Sequence, residues 1–142
     1  MWRHDAGFQS LRSIPLFEGS STKELAEIDT LATEDHAESG EVLIREGRPG
    51  RETFIILEGE AIVTVGARLI ARLGPGDFFG EMALLGRRKV RTATVTSITP
   101  MRMLVLDPRQ LSALLQIDRV ARSMLKEVVD RFSGPAVARR PA

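Results

Sequence analysis

The sequence predicts a small all-β roll or sandwich with helices at both ends. Two observations carry that reading. The apolar period is helical before residue 33 and after residue 107 and close to two in between, and within that middle stretch turn residues recur at short, regular intervals. At 142 residues, 43% hydrophobic and 27% charged, the chain has ordinary globular composition and enough apolar material for one modest core.

Near the start, Leu11 with Ile14, then Leu25, Ile28 and Ala32, recur at helical intervals, and Pro15 separates the two segments. Ser21 and Glu24 have the spacing of a capping box for the second. From about Thr33 the phase changes. Val42 and Ile44, Phe54 and Ile56, Ile62 and Thr64, Leu69, Ala71 and Leu73, then Met101, Met103 and Val105 alternate, bounded by Gly40, Gly47 with Gly50, Gly59, Gly66 and the run Gly74-Pro75-Gly76-Asp77. Asp107 as N-cap and Pro108 at the first helical position restart the helical period, carried by Leu111, Leu114 and Leu115. Asp118 is a second candidate cap, followed by an apolar stripe of Val120, Ala121, Met124, Leu125, Val128, Val129 and Phe132 that stops before Ser133, Gly134 and Pro135. These limits give one domain over 8–132 and a tail, 133–142, expected to be disordered.

Composition removes several function classes. The chain has no cysteine, which excludes disulfides, thiolate metal sites and a cysteine nucleophile. Its two histidines, His4 and His36, are too few and too scattered for the converging ligands of a metal-dependent cupin, and no Ser/His/Asp set or metal cluster supports a phosphodiesterase, so no enzyme activity is expected. Twenty basic against nineteen acidic residues leave a net charge of +1, which gives no general field for a nucleic-acid backbone. The local run Arg87-Arg88-Lys89 is either a solvated loop face or an added attraction for an anion. No leader and no membrane-spanning run is visible, so a cytoplasmic protein is expected, without membrane or nucleic-acid partners.

The stretch FGEMALLGRRKVRTATV (79–95) holds the functional signal. If residues 90–96 run extended, Arg91 shares a face with Ala93 and Val95, while Thr92, Thr94 and Thr96 share the other. An inward guanidinium without a partner is costly, so the pattern implies an anion beside it. Residues 81–85 have room for about one helical turn, whose first amides, at Glu81, Met82 and Ala83, would lack intrahelical acceptors, and Gly80 lets a ligand approach the backbone. Free amides and a guanidinium around one point suit a phosphate. The alternatives are an ion pair between Arg91 and Glu81, and for Glu81 alone a first-turn acid worth about 0.3–1 kcal/mol with the helix dipole.

This stretch resembles the phosphate-binding cassette of the cyclic-nucleotide-binding domain family, shared by bacterial catabolite activator proteins, kinase regulatory subunits and cyclic-nucleotide-gated channels. IPLF (14–17), GEVLIREG (40–47), FIILEGE (54–60) and LGPGDFFGE (73–81) fall in the family's order and spacing. The resemblance implies an eight-stranded, jelly-roll-like β-roll with N-terminal helices, a short cassette helix and two C-terminal helices. It makes Arg91 the partner of the cyclic phosphate and Glu81 the acceptor from the ribose 2′-hydroxyl. Gly80, Met82 and Ala83 would line phosphate and ribose through backbone amides, and Thr92 would touch phosphate or purine. At Val90 the sequence departs from the family, which often carries proline there. A hydroxyl at Thr92 could meet a guanine amino group, but Thr or Ser also occurs there in members that prefer cAMP, so cAMP is favoured over cGMP as ligand, and no cofactor is implied.

For the purine the family supplies a cover from its last helix, making Met124, Val128 and Phe132 lid candidates, although the same spacing serves any docked helix as core. The stripe is also long enough for a homodimer contact. A hinge at 115–118 would let ligand bias the last helix. With ten residues after Phe132, the effector is expected to be a separate protein or a dimer partner. The remaining readings are a scaffold that keeps the fold without binding nucleotide, and a transcription regulator cut before its DNA-binding domain.

Overall fold

A 3₁₀ turn, Pro15–Phe17, leads into helix α1, Thr22–Leu31, and from there the chain enters eight strands. These are β1 Thr33–Ala37, β2 Val42–Ile44, β3 Thr53–Glu58, β4 Ala61–Val65, β5 Arg68–Leu73, β6 Phe78–Phe79, β7 Thr94–Ser97 and β8 Met101–Leu106, followed by helices α2, Pro108–Leu114, and α3, Asp118–Ser133. The computed structural model describes residues 11–12, 14–80 and 90–133, and the side chains of all of these except 129 and 131–133. The expected cassette helix and the stretch 134–142 of the expected tail lie outside them, and Ser133, expected in that tail, closes α3.

The strands form two antiparallel sheets, ordered β1-β8-β3-β6 and β2-β7-β4-β5. In the first, β3 is buried on both faces. Along β3, Phe54 and Ile56 point into the roll with Ala61, Val63, Phe79, Val95 and Met103, whereas Ile55 and Leu57 join Leu25, Ile28, Leu104, Leu106 and Leu111 under the helices. That double duty explains the unbroken apolar run of β3, since a strand covered on both sides has no polar face to show. Each fully buried Leu, Ile or Phe contributes about 1.5–3 kcal/mol. In the second sheet Ala61, Val63 and Val95 are buried in the roll while Ile62, Thr64, Thr94 and Thr96 remain half-exposed.

The capping expectations at both helix starts hold. Ser21 and Glu24 form a reciprocal box on α1, and Asp107 does the same with Gln110 on α2, with Pro108 in the first turn. Asp118 does not cap α3. It is the helix's first residue, and the carbonyl that opens the ladder belongs to Ile117, which accepts from the Ala121 amide at 3.0 Å. An acid in the first turn still suits the positive end of the helix dipole. Between α2 and α3, Gln116 and Ile117 bond back three residues to Ala113 and Leu114, so the predicted hinge is a tight turn.

Strand β1 carries no alternating apolar signal, because along it only Ala37 is buried. Its five residues pair with β8 from Thr33↔Val105 to Ala37↔Met101, and the Glu34 carboxylate meets Arg102 of β8 across the register.

Candidate functional site

In the segment that begins at Val90 regular pairing starts at Thr94, yet the alternation expected of 90–96 extends back to Arg91. Arg91, Ala93 and Val95 are buried while Thr92, Thr94 and Thr96 are half-exposed. Arg91 therefore points inward, as its phase predicts, with its side chain 8% exposed.

Two segments hold it. The loop between β2 and β3 grips the backbone: the Arg91 amide donates to the Arg48 carbonyl at 2.8 Å, and the Arg91 carbonyl accepts from the Gly47 amide at 2.9 Å. The guanidinium then donates through Nη2 to the Glu52 carbonyl at 2.8 Å and through Nη1 to the Gly80 carbonyl at 3.1 Å. The Glu52 carboxylate lies 3.7 Å from Nη2 with its side chain half-exposed. The two carbonyls fix the direction of the planar guanidinium.

Both glycines at this point are required by space. Gly80 sits at φ +88°, and a Cβ there would come within 2.5 Å of the Glu52 carbonyl oxygen. A Cβ on Gly50 would fall 2.6 Å from Arg91 Nε. Gly80 is placed by β6, whose Phe79 stacks on Phe54 of β3 with centroids 4.8 Å apart and planes 10° off parallel, in register Phe54↔Phe79. The turn before β6 is tied by the Gly74 amide to the Asp77 carboxylate at 2.8 Å. A pocket of about 280 Å³ opens beside Arg91, its wall including Ile44, Arg45, Arg48, Gly50 and Glu52.

Of the residues singled out by sequence, the structure brings Gly80 and Arg91 together. Thr92 falls on the opposite phase from Arg91. Glu81, Met82 and Ala83, and the basic run 87–89, lie outside the described residues. Met124 and Val128 pack in the helix-side core with Ile117, Val120 and Phe17, a cluster separate from the roll interior that holds Ala93 and Val95. Phe132 lies in α3, and its side chain is outside the description. Sequence reasoning missed Glu52 and Gly50. Glu52 acts through its backbone carbonyl, which every residue type possesses, so no pattern marks it. Gly50 was visible only as a turn signal.

Among the described residues no cluster of His, Asp or Glu could hold a metal ion, and no helix is long and apolar enough to cross a membrane.

Comparison with known proteins identifies the family. The family model described as cyclic nucleotide-binding domain matches residues 34–118. The chain is 38% identical over 94 residues to the cAMP-dependent protein kinase regulatory subunit of Dictyostelium discoideum, covering 60% of this chain and 28% of that protein. It is 30% identical over 148 residues to the cGMP-dependent protein kinase egl-4 of Caenorhabditis elegans, covering 99% of this chain and 18% of that one. Among solved structures, the regulatory subunit of a cAMP-independent protein kinase A from Trypanosoma brucei superposes with a TM-score of 0.77 at 27% identity, over 96% of this chain and 48% of that chain. The chain thus spans less than a third of either curated relative named here and about half of the trypanosomal chain. Eight strands in two antiparallel sheets, flanking helices, and the family match over 34–118 agree: this chain belongs to the cyclic nucleotide-binding domain family.

Proposed function

We propose that the chain is a cyclic-nucleotide sensor that takes cAMP in preference to cGMP and regulates a separate effector. The observation that carries this reading is the inward Arg91, fixed between the Gly80 and Glu52 carbonyls in a position where two glycines leave room for its side chain. A cyclic phosphodiester bears a single negative charge, which one guanidinium balances with charge-assisted hydrogen bonds. In this account Arg91 takes the phosphate, the amides at Gly80, Met82 and Ala83 complete its cradle, and Thr92 touches phosphate or purine. Glu81 accepts from the ribose 2′-hydroxyl, which selects ribose over deoxyribose. The chain itself carries no reaction.

Ligand is read out through α3. Met124 and Val128 are committed to the helix-side core in the present position of α3, so a purine cover drawn from this helix involves either its far end, where Phe132 lies, or a shift of the helix about residues 115–118. The range of such a switch equals the difference in ligand affinity between the two helix positions. The relatives' names include cAMP-dependent and cGMP-dependent kinases, and a cAMP-independent one, so the purine preference has to be measured. Protein unfolded and refolded to strip bound nucleotide, then titrated calorimetrically with cAMP and with cGMP, should bind both saturably with cAMP the tighter. A tighter cGMP isotherm reverses the preference, and no binding of either leaves a scaffold that keeps the fold without the ligand.

A further inference from the structure

The loop that clamps Arg91 is itself basic. After β2 the chain turns at 45–48, closed by the Arg48 amide, which donates to the Arg45 carbonyl at 3.1 Å, and the backbone of Gly47 and Arg48 is bonded in turn to the backbone of Arg91. Arg45 and Arg48 therefore stand on a fixed turn beside Arg91, and all three line the pocket of about 280 Å³. The loop's two acids are placed differently. Glu46 lies off the pocket wall, its carboxylate accepting from the Gly66 amide in the β4–β5 turn at 2.9 Å. Glu52 is on the wall, with its carboxylate 3.7 Å from Arg91 Nη2.

Among the described residues this wall carries three guanidiniums and one carboxylate, in a chain whose net charge is only +1. A cyclic phosphodiester brings one negative charge, which Arg91 balances. Arg45 and Arg48 are exposed to solvent, and among the described residues neither meets a carboxylate. A guanidinium's planar fork matches a phosphate, so the two set cations where a further phosphate of the same ligand would lie. Arg51, three residues beyond Arg48 and equally exposed, is not on the wall, which makes it an internal control for basic charge that merely sits in the loop.

We propose that Arg45 and Arg48 form a second anion subsite of the nucleotide pocket, so that its ligand class includes nucleotides carrying two phosphates. This rests on the nucleotide reading of Arg91 and adds to it the number of charges the pocket takes. Two sources share that chemistry: a nucleoside 3′,5′-bisphosphate, with both phosphates on one ribose, and a cyclic dinucleotide, with one phosphodiester for each nucleoside.

Calorimetric titration of the refolded, nucleotide-free chain with cAMP, adenosine 3′,5′-bisphosphate and cyclic di-AMP tests it. At least one two-phosphate ligand should bind the parent as tightly as cAMP or tighter, and the one that does so names the source. In Arg45→Gln/Arg48→Gln, whose backbone keeps its bonds to Arg91, that ligand should lose about tenfold more affinity than cAMP loses, the scale of two exposed charge contacts. Arg51→Gln should show no such difference between the ligands. The subsite is overturned, with the Arg91 reading left standing, if the parent takes cAMP but binds both two-phosphate ligands more weakly, if the double variant loses cAMP and the two-phosphate ligand equally, or if Arg51→Gln discriminates as the double variant does. A parent that binds none of the three overturns both readings.

Discussion

Arg91 and Arg102 are arginines of neighbouring β segments drawn in to comparable depth, with side chains 8% and 17% exposed, yet they are held by different chemistry. Arg102, in β8, lies between two carboxylates: Nη1 donates to Glu58 at 2.7 Å, and Nε stands 3.5 Å from Glu34, which also meets His36 Nε2 at 3.1 Å. Arg91 donates to two backbone carbonyls, with the Glu52 carboxylate farther off at 3.7 Å. Carboxylates cancel a guanidinium's charge, whereas carbonyls aim it. The first arrangement cross-links strands β1, β8 and β3, and the second ties Arg91 to Gly80 and to the loop before β3, beside a pocket.

The comparison breaks most visibly by truncating each arginine in turn. Arg91→Ala should weaken cAMP binding by about a hundredfold or more, the roughly 3 kcal/mol scale of a buried charge that loses its partner. Its cost to stability should be smaller, since the Gly80 and Glu52 carbonyls each lose one hydrogen bond worth about 1 kcal/mol. Arg102→Met should invert that pattern. It takes the guanidinium away from Glu34, whose side chain is 6% exposed and which keeps its contact with His36, and should lower unfolding stability by about 3 kcal/mol in urea titrations. Its cAMP affinity should stay within about twofold of the parent, as expected of separated sites. An Arg102→Met protein that lost affinity as Arg91→Ala does would erase the distinction.

A finer test moves the guanidinium without removing it. In Gly50→Ala the new methyl group would lie 2.6 Å from Arg91 Nε, and the resulting overpacking should weaken cAMP by about tenfold while leaving Arg102 and its strands untouched. An affinity equal to the parent's would mean that the aim of Arg91 is not what binding uses.

How much of this was legible in the sequence differs between the same two places. Arg91 was legible because period-two alternation put it in phase with Ala93 and Val95, and that phase survives although the strand proper starts at Thr94. The grip on it was not, because Gly80 and Glu52 contribute backbone oxygens, and the Glu81 of the ion pair weighed from sequence lies outside the described residues. The Arg102 cluster was illegible for another reason. Strand β1 is polar along most of its length, so the periodicity that found β3 and β8 had nothing to report, and the pairing of Glu34 with Arg102 exists only once β1 lies against β8. At Met124 and Val128 an amphipathic stripe looks the same whether it serves a lid or a core, and the packing assigns both to the core.

The smallest expected effect concerns the ribose. Glu81→Ala should weaken cAMP by about fivefold, the scale of one hydrogen bond, and leave 2′-deoxy-cAMP unchanged in the same assay. Equal losses for both ligands would remove Glu81 from the ribose.

The central claim is that Arg91 is the charge a cyclic nucleotide meets. Calorimetric titration of refolded, nucleotide-free parent, Arg91→Ala and Arg102→Met proteins with cAMP, run side by side, tests it most directly. The account predicts saturable binding near micromolar or tighter for the parent and for Arg102→Met, with heat all but lost in a folded Arg91→Ala. Undiminished binding by Arg91→Ala, or no binding by the parent to either cAMP or cGMP, would contradict it.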